Sequence, residues 1–349
     1  MRRLVIAGVM LAVSGCAAVS PSRPPTGELP SASTSPPSAE LPAATVRLVF
    51  PGSFSPSAVA FHDAQAGFVG GSSNGVGGDL GATRDGGATW TWTRVAEHPI
   101  TQVTVSGPDI WVLSPCVDDV RCASSLYRSR DQGASWKAVP TNGNGLVGVT
   151  TMSFVGELGW AVGFRAVSSA TDPDGMRLRQ TADGGASWTE RPDPCTRWWP
   201  FLMDVQFVSA RHGWLLCSGE GSGTMGPAAV FETVDGGVTW GLRSANGSWG
   251  GPSAGVAPGG PVGALAMSSG GTGWIWQGRS GTVRTADRGA TWTNGPPGKP
   301  EEVFVLSMWV VSDALAFAVV FDGERRVSGV IGTDDAGVTW HDVAVQPVD

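Results

Sequence analysis

Short apolar runs recur along the chain from residue 45 onwards, and none reaches helical length. Examples are residues 151–155 and 205–208. A glycine-led segment follows each run: residues 66–70 (AGFVG), 159–163 (GWAVG), 213–216 (GWLL) and 273–276 (GWIW), with looser versions at 109–113 and 314–319. Runs of this length, bounded by turn formers and rich in β-branched and aromatic residues, predict β-strands. Downstream of each pair lies an octapeptide of constant form: residues 83–90 (TRDGGATW), 129–136 (SRDQGASW), 181–188 (TADGGASW), 233–240 (TVDGGVTW), 285–292 (TADRGATW) and 333–340 (TDDAGVTW). The six aspartates, Asp85, Asp131, Asp183, Asp235, Asp287 and Asp335, are spaced 46 to 52 residues apart. A repeat of this period signals a solenoid or a propeller.

Each octapeptide position has a task in a tight turn. The aspartate accepts hydrogen bonds from nearby amides, and the leading Ser or Thr hydroxyl does likewise. The glycine two residues after the aspartate supplies positive φ, and the closing tryptophan starts the next strand with a large ring to bury. Each unit then reads as four strands: A (apolar run), B (Gly-Trp), C (into the octapeptide) and D (out of it). The predicted fold is all-β, a six-bladed β-propeller with four-stranded antiparallel blades and the octapeptides in the C-to-D turns. The apolar stretch at 45–50 adds to the last blade or begins an incomplete seventh.

The octapeptides resemble Asp boxes, the bacterial neuraminidase (BNR) repeat. With the Gly-Trp element they resemble the photosystem II assembly-factor-like propellers, as well as sialidases and sortilin-type receptors. The resemblance implies that the six aspartates are structural, on the face opposite a sialidase-type active site. A sialidase of this family needs a tyrosine nucleophile, and the sole tyrosine, Tyr127, falls two residues before the second octapeptide, at the structural face.

Composition fits the strand-and-turn reading, with 51 glycines and 16 tryptophans in 349 residues. The net charge of −7 disfavours nucleic acid as a partner. Nothing approaches the roughly 18–20 apolar residues of a membrane-spanning helix. The N-terminus suggests another attachment. Arg2 and Arg3 precede a short apolar stretch, and residues 13–16 (VSGC) resemble a bacterial lipobox. The expected organisation is a lipoprotein signal peptide (1–15), a lipidated Cys16 with a disordered Pro/Ser-rich linker (16–44), and the propeller (45–349). The protein is then lipid-anchored on the extracytoplasmic side of a bacterial membrane.

Four further cysteines, Cys116, Cys122, Cys195 and Cys217, are an even number, as disulfides in an oxidising compartment require. Local closure pairs 116 with 122 and 195 with 217, on the face opposite the octapeptides. Arg197, Trp198, Trp199 and Trp249 lie on that face outside the repeat and are candidate binding residues. Glycosidase chemistry needs two carboxylates across a cleft. Asp118, Asp119, Asp172, Asp174, Glu220 and Glu324 lie on the same face with no spacing that pairs them. The histidines, His62, His98, His212 and His341, share no spacing either, and no cofactor or metal is expected. The favoured function is binding of a protein or glycan by a monomeric, non-catalytic propeller, with assistance to assembly of an envelope complex as one form. A sialidase-like glycoside hydrolase or lyase is the alternative.

Overall fold

The computed structural model describes residues 50, 53–115, 124–140, 148–164, 176–195, 198–219, 226–246, 263–277, 281–295 and 303–347. These form six four-stranded antiparallel sheets, each drawn from one continuous stretch of chain. Blade 1 is β1 (Phe54–Phe61), β2 (Gly67–Ser73), β3 (Val76–Thr83) and β4 (Thr91–Ala96). Blade 2 is β5 (Gln102–Ser106), β6 (Asp109–Ser114), β7 (Ser125–Ser129) and β8 (Lys137–Ala138). Blade 3 is β9 (Thr151–Val155), β10 (Leu158–Phe164), β11 (Met176–Thr181) and β12 (Thr189–Arg191). Blade 4 is β13 (Phe201–Phe207), β14 (Gly213–Ser218), β15 (Ala228–Thr233) and β16 (Gly241–Ala245). Blade 5 is β17 (Leu265–Met267), β18 (Gly273–Trp276), β19 (Thr282–Thr285) and β20 (Thr293–Gly295). Blade 6 is β21 (Val303–Val310), β22 (Ala316–Asp322), β23 (Val327–Thr333) and β24 (His341–Pro347). The first strands touch in sequence around a ring, and β21 returns to β1. The molecule is a six-bladed β-propeller.

The blades are held together by aromatic side chains of their second strands. Trp111, Trp160, Trp214 and Trp274 are fully buried, and so is Phe317. Each reaches sideways into the next blade. The Trp111 ring stacks on Phe154 of β9 (4.3 Å between centroids) and Trp160 on Phe207 of β13 (3.5 Å, 6° between planes). Phe317 stacks on Phe61 of β1 (3.7 Å), closing the ring. The indole N–H groups of Trp111, Trp160 and Trp214 donate to the carbonyls of Gly184, Gly236 and Arg288 at 3.2–3.3 Å. Those carbonyls occupy the same fourth position in the following blade's octapeptide. Between blades 2 and 3 the buried Arg128 adds a clamp. It bonds Glu157 through two nitrogens (2.6 and 2.7 Å) and Asp109 (2.8 Å), with its guanidinium 4.6 Å from the Trp111 ring centroid.

Among the described residues, the first and last blades each draw their four strands from their own sequence. Of the apolar stretch at 45–50, Phe50 is described. It is buried against Phe54 and Trp92 of blade 1. Residues 45–49 lie outside the described residues; the described seam is sewn by Trp309 of β21, which donates to the Phe61 carbonyl (2.8 Å), and by Gln346 of β24, which donates to the Phe54 carbonyl (2.6 Å).

Removing an interblade ring opens a cavity that rigid sheets cannot refill. Trp160→Ala is expected to cost about 3–5 kcal/mol. Trp160→Phe keeps most of the stack, loses the hydrogen bond to Gly236, and should cost clearly less. Urea unfolding of both variants checks the order; equal losses would show that the ring does not bridge the blades.

Candidate functional site

The two faces of the disc differ in kind. One carries the A-to-B hairpins and the octapeptides. In every blade the fourth octapeptide residue donates its amide to a carbonyl of the same blade's A-to-B connection, for example Gly184 to Glu157 and Gly236 to Arg211, both at 2.9 Å. All six octapeptides join a third strand to a fourth and share one bonding scheme. The leading hydroxyl donates to the aspartate, as Thr181 does to Asp183 at 2.7 Å, and accepts the amide of the fifth residue, as from Gly185 at 3.0 Å. The aspartate accepts both the amide and the hydroxyl of the seventh residue. The hydroxyl contact is 2.6 Å in all six. The hydroxyls of Ser135, Ser187 and Thr239, reinforced by their amides, pull the carboxyls of Asp131, Asp183 and Asp235 down to about 2. These carboxylates are ionised, saturated with donors and occupied in holding turns.

The turn requires two successive residues with positive φ, one more than sequence reading assigns. The fifth position is always glycine. The fourth is Gly86, Gln132, Gly184, Gly236, Arg288 or Ala336, and it too is left-handed, with φ of 57° at Gln132 and 62° at Ala336. At the fifth position a second constraint applies. A Cβ on Gly185 (φ 98°) would stand 2.6 Å from Leu126 Cδ2 of the preceding blade, so the glycine also lets the neighbour approach. Gln132→Gly is therefore expected to stabilise the fold by up to about 1 kcal/mol by relieving left-handed backbone cost. Gly185→Ala should destabilise it by more. Thermal melts of the two variants should move in opposite directions.

The other face carries the B-to-C and D-to-A connections. Cys195 and Cys217 are joined by a disulfide (Cα–Cα 5.6 Å), tying the D-to-A connection before blade 4 to the end of β14. Trp199 is only 3% exposed and packs edge-on against Phe231, 6.1 Å between centroids. Trp198 is half-buried on the same core. The Trp199 ring is thus core packing, not an exposed platform, because the stapled connection folds it inward. Glu324 lies on the exposed turn between β22 and β23, where Asp322 caps its amide at 3.1 Å. Tyr127 is half-buried between blades 1 and 2. Cys16, Cys116, Cys122, Arg197, Trp249, Asp118, Asp119, Asp172, Asp174 and Glu220 lie outside the described residues, as do residues 1–49.

The channel encloses a cavity of about 440 Å³ lined by β5, β9, β13, β17 and β21. Its wall is dominated by hydroxyl, amide and apolar groups; Asp204 is the one charged side chain among the described lining residues. First strands turn a bare backbone edge to the channel, and side chains of neighbouring blades satisfy it. Gln102 holds the Met152 amide (2.6 Å) and carbonyl (2.8 Å), and Gln206 holds those of Met267 (2.5 and 3.2 Å). Ser153 accepts the Phe207 amide (2.8 Å). Asp204 spans three blades. A β-bulge between Leu202 and Asp204 shifts the register there. One carboxylate oxygen accepts Thr151 Oγ1 (2.5 Å) and the Val205 amide (2.8 Å), and the other accepts the Leu265 amide (2.8 Å). Burial raises its carboxyl to about 6, against the pull of the Leu265 amide and its other donors. A charged residue inside the apolar run FLMDVQFV is the sequence signal that could have found it.

Two titrations of opposite sign follow. The octapeptide aspartates have folded pKa values below the ordinary one, so their contribution is present above pH ~4 and is lost as pH falls towards 2. Asp204 has a raised folded pKa. Its ionisation costs the fold on the order of 3 kcal/mol, a penalty that grows from pH ~4 to ~6 and is complete above that range. The stability of the wild type minus that of Asp204→Asn should therefore fall between pH 4 and 7. A difference that rises with pH would show that the three donors outweigh burial.

No protein-family model matches the chain, and no curated protein does. Among solved structures it is similar to YCF48 bound to a D1 peptide (16% identity over 84% of this chain and 83% of that one, TM-score 0.50). It is also similar to the α-L-arabinofuranosidase Arb93A from Fusarium graminearum in complex with an iminosugar inhibitor (13% identity, 80% and 92% covered, TM-score 0.53). At such identities the likeness is one of fold, and it identifies the chain as a β-propeller and nothing narrower.

Proposed function

We propose that this protein is an exported, lipid-anchored propeller that binds a protein or glycan partner on the face opposite the octapeptides and performs no chemistry on it. The six octapeptides are Asp boxes in this reading, and Cys16 bears the acyl anchor on the extracytoplasmic side of the cell membrane. One observation carries the proposal. Among the described residues, the six octapeptide aspartates are engaged in turns on one face, and Asp204 is held by three donors in the channel wall. What remains is a stiff ring with a hydroxyl- and amide-lined opening, suited to presenting a fixed surface. A protein partner accords with the YCF48 complex with a D1 peptide, the similar structure described with a peptide bound.

The acylated protein, purified from its native membrane, should bring down a defined partner. Fluorogenic sialoside and glycoside panels should show no turnover. Turnover that disappears on substituting one carboxylate of the B-to-C connections would replace this reading with a glycoside hydrolase.

A further inference from the structure

The seam between blades 1 and 2 departs from the repeat at two paired positions. In blades 2 to 5 the third strand sets a long polar side chain beside each second-strand indole: Arg128, Gln180, Glu232 and Arg284 pair with Trp111, Trp160, Trp214 and Trp274. Between blades 3 and 4 both members donate to one carbonyl, with Trp160 Nε1 at 3.2 Å and Gln180 Nε2 at 3.5 Å from the Gly236 oxygen. Blades 1 and 6 are cut back at both positions, to Phe68 with Ala82 and Phe317 with Gly332. Blade 6 makes up the loss by stacking Phe317 on Phe61. Blade 1 has no such ring to meet, because β5 offers Val105 where the register of β9 and β13 offers Phe154 and Phe207. Neither Phe68 nor Ala82 carries a donor for the Gln132 carbonyl, the counterpart of Gly236.

A cleft of about 260 Å³ results. Its floor is apolar, formed by Phe68, Leu80 and Ala82. Thr91 and Thr93 of β4 stand on the same face of blade 1, since they pair with Ala82 and Leu80. The two octapeptides supply the rest: Arg84, whose Nη1 lies 3.3 Å from Gln132 Oε1, and the half-buried Trp136, whose own N–H is taken by the Gly133 carbonyl at 3.2 Å.

We infer that this cleft between blades 1 and 2 is a glycan-binding site that takes one pyranose ring. A pyranose presents C–H groups on its faces and hydroxyls around its edge. The cleft meets the first with an apolar floor and an indole, and the second with two threonine hydroxyls, an amide and a guanidinium. A sugar hydroxyl then gives the Gln132 carbonyl the donor that Trp160 and Gln180 give Gly236. The site is distinct from the partner surface proposed above, on the face opposite the octapeptides, and does not depend on it.

The test titrates methyl glycosides of glucose, galactose, mannose, N-acetylglucosamine and galacturonic acid into the full-length protein labelled with ¹⁵N at its tryptophans. At least one should shift the Trp136 indole signal, assigned with Trp136→Phe, with a dissociation constant in the millimolar range. Ala82→Gln copies blade 3, filling the cleft and supplying the missing donor. It should weaken binding at least about tenfold while Tm holds or rises. Thr91→Val combined with Thr93→Val keeps the shape of the cleft, removes two hydroxyls and should weaken binding as well; this pair decides the matter if Ala82→Gln lowers Tm. A panel that leaves the Trp136 signal unmoved overturns the proposal. So does sugar binding that survives in a folded Ala82→Gln variant, since the sugar then sits elsewhere, as on the opposite face.

Discussion

The structure depends on the way one blade's second strand grips the next blade's turn. A propeller has no continuous hydrogen-bonded sheet around its ring, so neighbouring blades cohere only through side chains. Here, at Trp111 and Trp160, the grip is an indole that stacks on the next blade's first strand and donates to the next octapeptide. At Trp160 both parts coincide, with Phe207 at 3.5 Å and the Gly236 carbonyl at 3.2 Å. That carbonyl is available because the aspartate bonds its turn shut and two left-handed residues rotate it outward. The fifth-position glycine then leaves room for the neighbour. At the interfaces that follow blades 2 and 3, turn chemistry and blade packing are therefore one constraint.

Functional asymmetry follows from it. The octapeptide face is consumed by hydrogen bonds that are needed for closure. The opposite face has no such repeated duty, and there the blades diverge: a disulfide on blade 4, an arginine-tied turn on blade 6 (Arg325 to Asp342 at 3.0 Å), and an exposed hairpin on blade 1. Freedom to vary is freedom to recognise. The channel runs between these two faces, its wall satisfied by Gln102, Gln206, Ser153 and Asp204.

The six blades are legible because Asp85 through Asp335 repeat one set of bonds with one spacing, and the Gly-Trp segments mark second strands just as regularly. Legibility fails where the repeat is silent. The left-handed fourth position is hidden by its changing occupant, since Gln132, Arg288 and Ala336 give no sign of positive φ. Phe317 does the work of the indoles without resembling them in sequence. Trp199 reads as a surface aromatic because nothing local reveals that the connection stapled to Cys217 turns it inward. The role of Asp204 escapes sequence reading because two of its three partners come from residues about 60 and 50 positions away, a proximity that only ring closure creates.

A double-mutant cycle measures the coupling between indole and turn most directly. Trp160→Phe combined with Asp235→Ala alters both sides of one interface between blades 3 and 4; Trp160→Phe with Asp335→Ala places the changes in non-adjacent blades. Urea unfolding should give an interaction energy of at least about 0.5–1 kcal/mol for the first pair and additivity within about 0.5 kcal/mol for the second. Additivity in both cycles would mean that the aspartate turns and the interblade indoles act independently, and that no single coupled constraint holds the ring together.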